Sequence, residues 1–478
     1  MMVLGGADEL PEVCDLVIVG AGPAGLAAAA AAAAHGLQVL LLDENPEPGG
    51  QIYRGLPSSP PSRRAILGKD YERGDSLLRA ARETSVACLP GATVWMVSRD
   101  MEIGISKDGR SRIIRARRVV LATGALERPF PIPGWTLPGV MTAGAAQGAL
   151  KNSGMVPQGR FALAGTGPLL WLLADQLIAA GAPPDVILDT TLPAYRLAVM
   201  KALPAFLGSP YVRKGLGLTR RVRRHARVIG GVTHIRAIGG DRVRNVAYRC
   251  GDRSASIDVE GLFLHQGVVP NVNMANAAGC EMAWDDVQLC WKPVVDAWGR
   301  SSLQDISIAG DGAGINGAEA AAHLGRLCGL DAAFGLGRMS ESERDAAAAS
   351  TRKALRLHLQ GRRFLDLMFQ PPEAFRVPAP ETIVCRCEEV TSGQIADALK
   401  DFGDVGPNQL KSYLRCGMGP CQGRLCGLTV SEMIAAARGL SPADVGYYRL
   451  RFPVKPITVA ELASLPHQED DVRAVVRE

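Results

Sequence analysis

The chain has 478 residues, 47% of them hydrophobic and 21% charged, with a net charge of +5. That length is too great for one hydrophobic core and calls for two to four domains of ordinary globular composition. The small charge and the scarcity of aromatic residues (5%) argue against a nucleic-acid partner, which needs a basic face and stacking rings.

The opening segment MMVLGGADELPEVC carries acidic residues where an export signal needs Lys or Arg, so none is expected. Asp15 to Val19 reads DLVIV, a continuous apolar run typical of a strand buried on both faces. Gly20-Ala-Gly22-Pro23-Ala24-Gly25 follows, then an Ala-rich helix over 26–34. A second apolar run, Val39 to Leu42, ends at Asp43 and Glu44. This is the strand–GxGxxG–helix–strand–acid order of a dinucleotide-binding unit. Gly20 permits the tight turn, Gly22 lets backbone approach a pyrophosphate, and Gly25 lets the helix pack on the strand. The amides at the helix start face the phosphates, and Asp43 is placed to accept from an adenosine ribose. FAD and NAD both carry adenosine diphosphate, so this unit alone does not separate them.

Three further features favour FAD. Gly49-Gly50-Gln51 lies where a flavin pyrophosphate would pass over backbone. The apolar run Val119 to Ala122 ends in the turn Thr123-Gly124. Far downstream, ISIA is followed by Gly310-Asp311 and a helix over 318–328. Asp311 is then placed to hold a ribityl chain, and the helix N-terminus faces the flavin pyrimidine ring.

Between these lies a second, altered unit. The strand 160–164 runs into Gly165-Thr-Gly167-Pro-Leu-Leu170, and 186–188 ends at Asp189. Leu170 replaces the third glycine and pushes the helix from the strand. The stretch that follows is rich in Arg (Arg213, Arg220, Arg221, Arg223, Arg224, Arg227). Two readings stay open: a nicotinamide-nucleotide site, or a retained structural domain with a solvated or partner-facing basic surface. The apolar stretch 161–182 contains the GTG turn, Asp175 and Gln176, so it is not a membrane span.

In this order the elements resemble the two-dinucleotide-binding-domain flavoproteins of the glutathione and thioredoxin reductase group. LFLHQGVVPN (262–271) is similar to the segment that leads back into the FAD domain there, and His265 is read as structural. That group's redox Cys pair is missing. Cys14, Cys88, Cys250, Cys280, Cys290 and Cys328 stand alone, as packing residues do. Disulfide reduction is therefore not expected.

A charged helical connector (345–370) and a Pro-rich linker (371–381) precede Cys385-Arg-Cys387, a helix over 392–402, and LRCGMGPCQGRLC with Cys416, Cys421 and Cys426. Cytosolic thiols crowded at short spacing suit a metal site, and four thiolates suit a [2Fe–2S] cluster. Zinc is the other reading, but Cys-x-Cys is tighter than the usual zinc spacing. The segment resembles the bacterioferritin-associated ferredoxin type of domain. That resemblance implies Cys385, Cys387, Cys421 and Cys426 as ligands, with Cys416 either a spare or a replacement for Cys426. The tail, YRLRFPVKP (448–456), reads as a surface strap.

Over its whole length the chain resembles the A (alpha) subunits of heteromeric amino-acid dehydrogenases: opine oxidases, D-hydroxyproline dehydrogenase, hydrogen cyanide synthase and, more distantly, the alpha chain of sarcosine oxidase. The implied fold class is α/β. A Rossmann-like FAD domain (12–125 and 259–340) is interrupted by an inserted NAD(P)-binding-like domain (126–258). A connector and linker (341–380), a small α+β [2Fe–2S] domain (381–437) and a tail (438–478) follow. The resemblance implies FAD, a [2Fe–2S] cluster and room for an FMN at a subunit interface. It implies a D-amino-acid-oxidase-like beta subunit, admits a small ferredoxin-like third subunit, and points to a quinone or other electron acceptor. It also implies a cytoplasmic location with room for a peripheral seat on the inner membrane, and no transmembrane segment. The amine oxidised would be an opine of the octopine or nopaline kind first, D-hydroxyproline second. The alternatives are a stand-alone NAD(P)H-dependent flavin reductase, or a structural subunit whose nucleotide is not turned over. No catalytic residue is assigned.

Overall fold

The computed structural model describes residues 1–191 and 199–466; the end of the expected tail, 467–478, lies outside them. The first sheet is eight-stranded, with the order Met2–Val3, Ala87–Pro90, Val39–Asp43, Val13–Val19, Arg110–Leu121, Glu102–Lys107, Thr93–Val97. The returning strand Ile306–Ile308 pairs in parallel with the end of Arg110–Leu121. Val19 pairs with Leu42 and with Leu121, and Leu121 pairs with Ile308. The Gly20, Asp43, Thr123 and Gly310 turns therefore leave one sheet edge together. That is the carboxyl edge, where open α/β sheets bind ligands.

The helix Pro23–Ala33 starts three residues earlier than expected, because Pro23 occupies the first turn, where its missing N–H costs nothing. The helix expected over 318–328 extends to Gly335. The two helices pack against each other over the sheet.

A second, five-stranded sheet holds Arg227–Gly230, Val186–Asp189, Phe161–Thr166, Gly261–Gln266 and Val140–Thr142, all parallel. Gly261–Gln266 belongs to this sheet, although it lies beyond 259, where the FAD domain was expected to resume. A three-stranded antiparallel sheet (232–258) packs beside it. Leu170 is fully buried at the start of the helix Pro168–Ala179.

The small C-terminal unit has a two-strand ribbon (Ile383–Cys385 with Val390–Thr391). The helix Ser392–Phe402 is closed by a capping box between Thr391 and Gln394. Helices Pro407–Leu414 and Gly427–Arg438 complete it. Glu432 anchors this unit to the rest: it accepts from Arg376 Nη1 at 2.6 Å and lies 3.8 Å from the buried guanidinium of Arg128.

The tail is not a surface strap. Tyr448 and Val454 are buried, and Tyr448 is among the largest fully buried side chains. The sequence reading failed because the residues that receive Tyr448 lie in the cysteine loop. A Cβ on Gly417, Gly423 or Gly427 would come within 2.7, 2.8 or 3.0 Å of the Tyr448 ring. Beyond it, Leu450 N donates to Asn276 Oδ1, Val454 N donates to Trp95 O, and Lys455 pairs with Glu44. Tyr448→Ala is therefore expected to cost about 3–5 kcal/mol, as other large aromatic truncations in cores do. The expected readout is a lower midpoint in denaturant together with reduced iron content; an unchanged midpoint would show that the ring is not structural.

Candidate functional site

The dinucleotide site is built as its motif requires. A Cβ on Gly25 would come within 1.8 Å of the Gly20 carbonyl oxygen, so only glycine allows the helix so close to the turn. Gly20 itself has φ +108°. Gly50 lies against Gly22, where an added Cβ would meet the Gly22 Cα at 2.8 Å. Asp43 Oδ2 accepts from Ala21 N at 2.5 Å, and Oδ1 accepts from the Asn45 amide and side chain. Asp43 thus braces the phosphate turn while lining the cavity beside Glu44.

These turns open into one cavity of about 1870 Å³. Gly20, Gly22, Pro23, Ala24, Asp43, Glu44, Gly50, Gln51, Thr123, Gly124 and Asp311 all line it. Gly25, Gly49 and Gly310 stand behind that wall and shape it by close backbone contact. Asp311 Oδ1 accepts from the amides of Asn316 and Gly317. Enclosure by protein pushes its carboxyl up despite those amides.

Two groups escaped the sequence reading. The buried Lys151 donates Nζ to the Gln51 carbonyl at 3.0 Å and pairs with no carboxylate among the described residues. Burial, with Arg54 nearby, lowers its pKa to about 7. A lysine in the last turn of a helix, 100 positions from its partner, gives no local signal of that contact. The second is the pair His265–Glu127. His265 Nδ1 lies 2.6 Å from Glu127 Oε1, while Glu127 Oε2 accepts from Gly144 N. His265 was read as structural, and nothing in the sequence joins residues 138 apart. The carboxylate fixes the ring, and Nε2 lies against the GTG turn, 3.0 Å from where a Gly167 Cβ would stand.

In the second unit the Arg-rich helix Tyr211–His225 is partly engaged. Arg221 forks onto Asp175 at 2.7 and 2.8 Å, Lys214 pairs with Asp70, and Arg223 lies over Trp171. Arg213, Arg220, Arg224 and Arg227 are exposed, with Arg213 at the cavity lining.

The cysteines form two sulfur groups. Cys385, Cys416 and Cys426 have Sγ atoms all within 4.8 Å of one another. Cys385 accepts from the other two thiols, which holds it low as a thiolate and raises them. Cys387 and Cys421 interact with each other, and burial raises Cys387. Two sulfurs on each of two irons is what a [2Fe–2S] cluster takes, and this donor set fits it. Cys385 with either Cys416 or Cys426 could supply one side, and Cys387 with Cys421 the other. The Tyr448 hydroxyl, with no conventional partner, acts on the Cys416 sulfur. The loop is tied to the cavity wall, because Asn273 Nδ2 donates to Gln422 O at 2.9 Å.

Comparison with known proteins agrees with this construction. Residues 14–325 match the pyridine nucleotide-disulphide oxidoreductase family, and 383–436 match the BFD-like [2Fe-2S] binding domain. The chain is 50% identical to the A subunit of an opine oxidase from Agrobacterium tumefaciens (strain Ach5), covering 98% of this chain and 95% of the relative. It is 32% identical to the HcnB subunit of hydrogen cyanide synthase from Pseudomonas aeruginosa, covering 94% and 98%. Its fold is similar to the crystal structure of L-proline dehydrogenase from P. horikoshii, with a TM-score of 0.69 at 19% identity, covering 94% of this chain and 79% of that one. No described helix is long and apolar enough to cross a membrane. The chain belongs to the family of opine oxidase A subunits: oxidoreductase subunits with an FAD unit of the pyridine nucleotide-disulphide oxidoreductase type and a C-terminal [2Fe–2S] domain.

Proposed function

We propose that the chain is the electron-transferring subunit of a dehydrogenase that oxidises the C–N bond of an opine or related amino acid, octopine- or nopaline-like before D-hydroxyproline. One observation carries this reading: a dinucleotide cavity and two cysteine pairs are built into one chain, and Asn273 and the tail tie the two together. When bound, a flavin accepts two electrons and releases them singly, and a [2Fe–2S] cluster carries one. Gly20, Gly22, Gly25 and the first turn of the helix would hold the pyrophosphate, Asp43 the adenosine ribose, and Asp311 the ribityl chain. Cys385, Cys387, Cys421 and Cys426 would hold the cluster.

The substrate's C–N bond is assigned to a partner of the D-amino-acid-oxidase type. Room is left in the proposed assembly for a small ferredoxin-like subunit and an FMN at the shared interface, with a quinone or other final acceptor and a cytoplasmic location that admits a peripheral seat on the inner membrane. The test is anaerobic. The chain co-expressed with its partner is titrated with octopine, nopaline or D-hydroxyproline, and again with NADH. Bleaching of the visible flavin band by an opine and not by NADH is the expected result. Rapid stoichiometric bleaching by NADH in the isolated chain would replace this reading with a stand-alone reductase.

The ligand assignment is separately testable. Cys387→Ser and Cys421→Ser are expected to lose iron and acid-labile sulfide, as is Cys426→Ser. Cys416→Ser is expected to retain both. A Cys416→Ser protein without iron, beside an intact Cys426→Ser protein, would exchange those two roles.

Lys151 gives a pH signature. Bound phosphate would draw a proton onto its amine and raise its pKa above the free value of about 7. The resulting gain in affinity is full below pH 7 and is lost as pH rises through the bound value. Affinity for adenosine diphosphate, measured by calorimetry on cofactor-stripped chain, should therefore fall above pH 7 in the wild type. It should be flatter in Lys151→Met; parallel profiles would place the amine away from the phosphates.

A further inference from the structure

The cavity is larger than one ligand needs. Pockets for a single small molecule or cofactor occupy about 300–1,000 Å³, against about 1870 Å³ here. The dinucleotide turns account for one end. The other end is bounded by the second unit and by the connector helix Arg362–Met368; its walls include the apolar Leu169, Trp171, Leu172, Phe364, Leu365 and Phe369, and the carboxylates among them, Asp175 and Asp366, are paired with Arg221 and Arg362.

Its floor is polar. His265 and Gln266 line it at the end of the strand Gly261–Gln266. Glu127 holds His265 through Nδ1, and Nε2 has no partner among the described residues. Gln266 is 1% exposed, yet neither its amide nitrogen nor its amide oxygen has a hydrogen-bond partner. A buried amide with neither atom paired is unfavourable, and this one is placed to hydrogen-bond a ligand in the cavity. An apolar sleeve with two polar groups at its base suits a flat, apolar molecule bearing carbonyl oxygens.

Its mouth differs from the rest of the surface. Leu207 and Leu216 both line the cavity and are 62% and 68% exposed. Around them, residues 199–227 contain eight Lys or Arg and no Asp or Glu. Arg213, Arg220, Arg224 and Arg227 are exposed and have no carboxylate partner among the described residues. Exposed leucines on a stretch rich in cations, with Arg213 unpaired at the rim beside the Lys214–Asp70 and Arg221–Asp175 pairs, suit an anionic lipid interface: the apolar side chains enter the acyl boundary and the cations meet the headgroups.

Resting on the proposed electron-transfer role, we propose that this end of the cavity binds a quinone-type acceptor, which enters from an anionic bilayer through the Leu207–Leu216 mouth. Gln266 Nε2 donates to a ring carbonyl, His265 Nε2, left as an acceptor by the Nδ1–H to Glu127 contact, accepts from the hydroxyl of the reduced ring, the apolar walls enclose the ring, and the basic rim seats the mouth on lipid.

The test uses the holo complex with its partner subunits, after flavin, iron and reduction by an opine have been verified. Failure of those checks overturns the electron-transfer reading; the measurements below address only this inference. Binding of a water-soluble short-chain benzoquinone is followed by calorimetry. Sedimentation is measured with phosphatidylcholine vesicles with and without phosphatidylglycerol. Saturable quinone binding is expected, weakened tenfold or more in Gln266→Met with flavin and iron contents unchanged. Binding to the phosphatidylglycerol vesicles alone is expected, reduced by salt and lost in the Leu207→Glu/Leu216→Glu double variant, whose surface positions leave the fold intact. Quinone binding that ignores Gln266, or the absence of saturable binding, overturns the site. Equal binding to both vesicle types overturns the lipid entry. So does vesicle binding by the isolated chain that the complex lacks, which would mean that a partner subunit covers the mouth.

Discussion

The site depends on two helices meeting backbone to backbone. Pro23–Ala33 and Ala318–Gly335 come from opposite ends of the interrupted unit, and each presents small residues to the other. A Cβ on Gly325 would come within 2.0 Å of the Ala24 carbonyl oxygen, and one on Gly329 within 2.4 Å of the Ala28 carbonyl oxygen. No side chain fits between them. This contact fixes the Gly310–Asp311 turn against the phosphate turn, where a Gly310 Cβ would meet the Ala24 Cβ at 2.7 Å. The strand Ile306–Ile308 supplies the matching register on the sheet. The chain can leave the first sheet at Gly124, build a second sheet, and return without loss of geometry because a steric lock waits for it.

How far the sequence could be read follows from the range of the physics. The phosphate turn was legible because its demands are local: a positive φ at Gly20, a close approach at Gly25, an acid at the end of the next strand. The helix Ser392–Phe402 was legible for the same reason, since its cap is written in Thr391 and Gln394. The groups that were not legible act at long range. His265 finds Glu127, Lys151 finds Gln51, and Tyr448 finds three glycines of the cysteine loop only after the fold closes. Glycines such as those in GMGPCQG can let backbone amides point at cluster sulfurs. Gly417 and Gly423 also make room for a ring from the tail, a use that no spacing pattern announces.

The tail changes how the cofactor sites relate. Tyr448 closes the cysteine loop, Leu450 is held by Asn276 on the helix Asn273–Ala278, Val454 lies in the core of the first sheet, and Lys455 reaches Glu44 at the ribose end of the cavity. Asn273, on that same helix, holds the loop carbonyl of Gln422. A short stretch thus touches both sites, and one helix receives both the tail and the loop. Buried Glu432 adds a third tie. Its desolvation is offset by Arg376 and Arg128, and removing one partner of such a group costs far more than the pair contributes. Cluster and cavity are therefore held at a fixed separation by interactions that fail together.

Rigidity at that seam contrasts with the Arg-rich face at the far side of the second unit. There the fold uses cations in two ways. Where a carboxylate is within reach, as for Arg221 with Asp175, the guanidinium is forked and fixed. Where none is, the charges stand in solvent around exposed leucines. A solvated structural face needs neither the leucines nor the uniform sign, and unscreened like charges at this density disfavour folding. A nicotinamide site accounts no better for the exposure of these cations, because its phosphates would sit inside, at the GTG turn. Both features make sense together if the face meets something anionic outside and apolar beneath. Polar groups short of partners recur inside the cavity: the Lys151 amine has no carboxylate among the described residues, and the neutral Gln266 amide has no hydrogen bond.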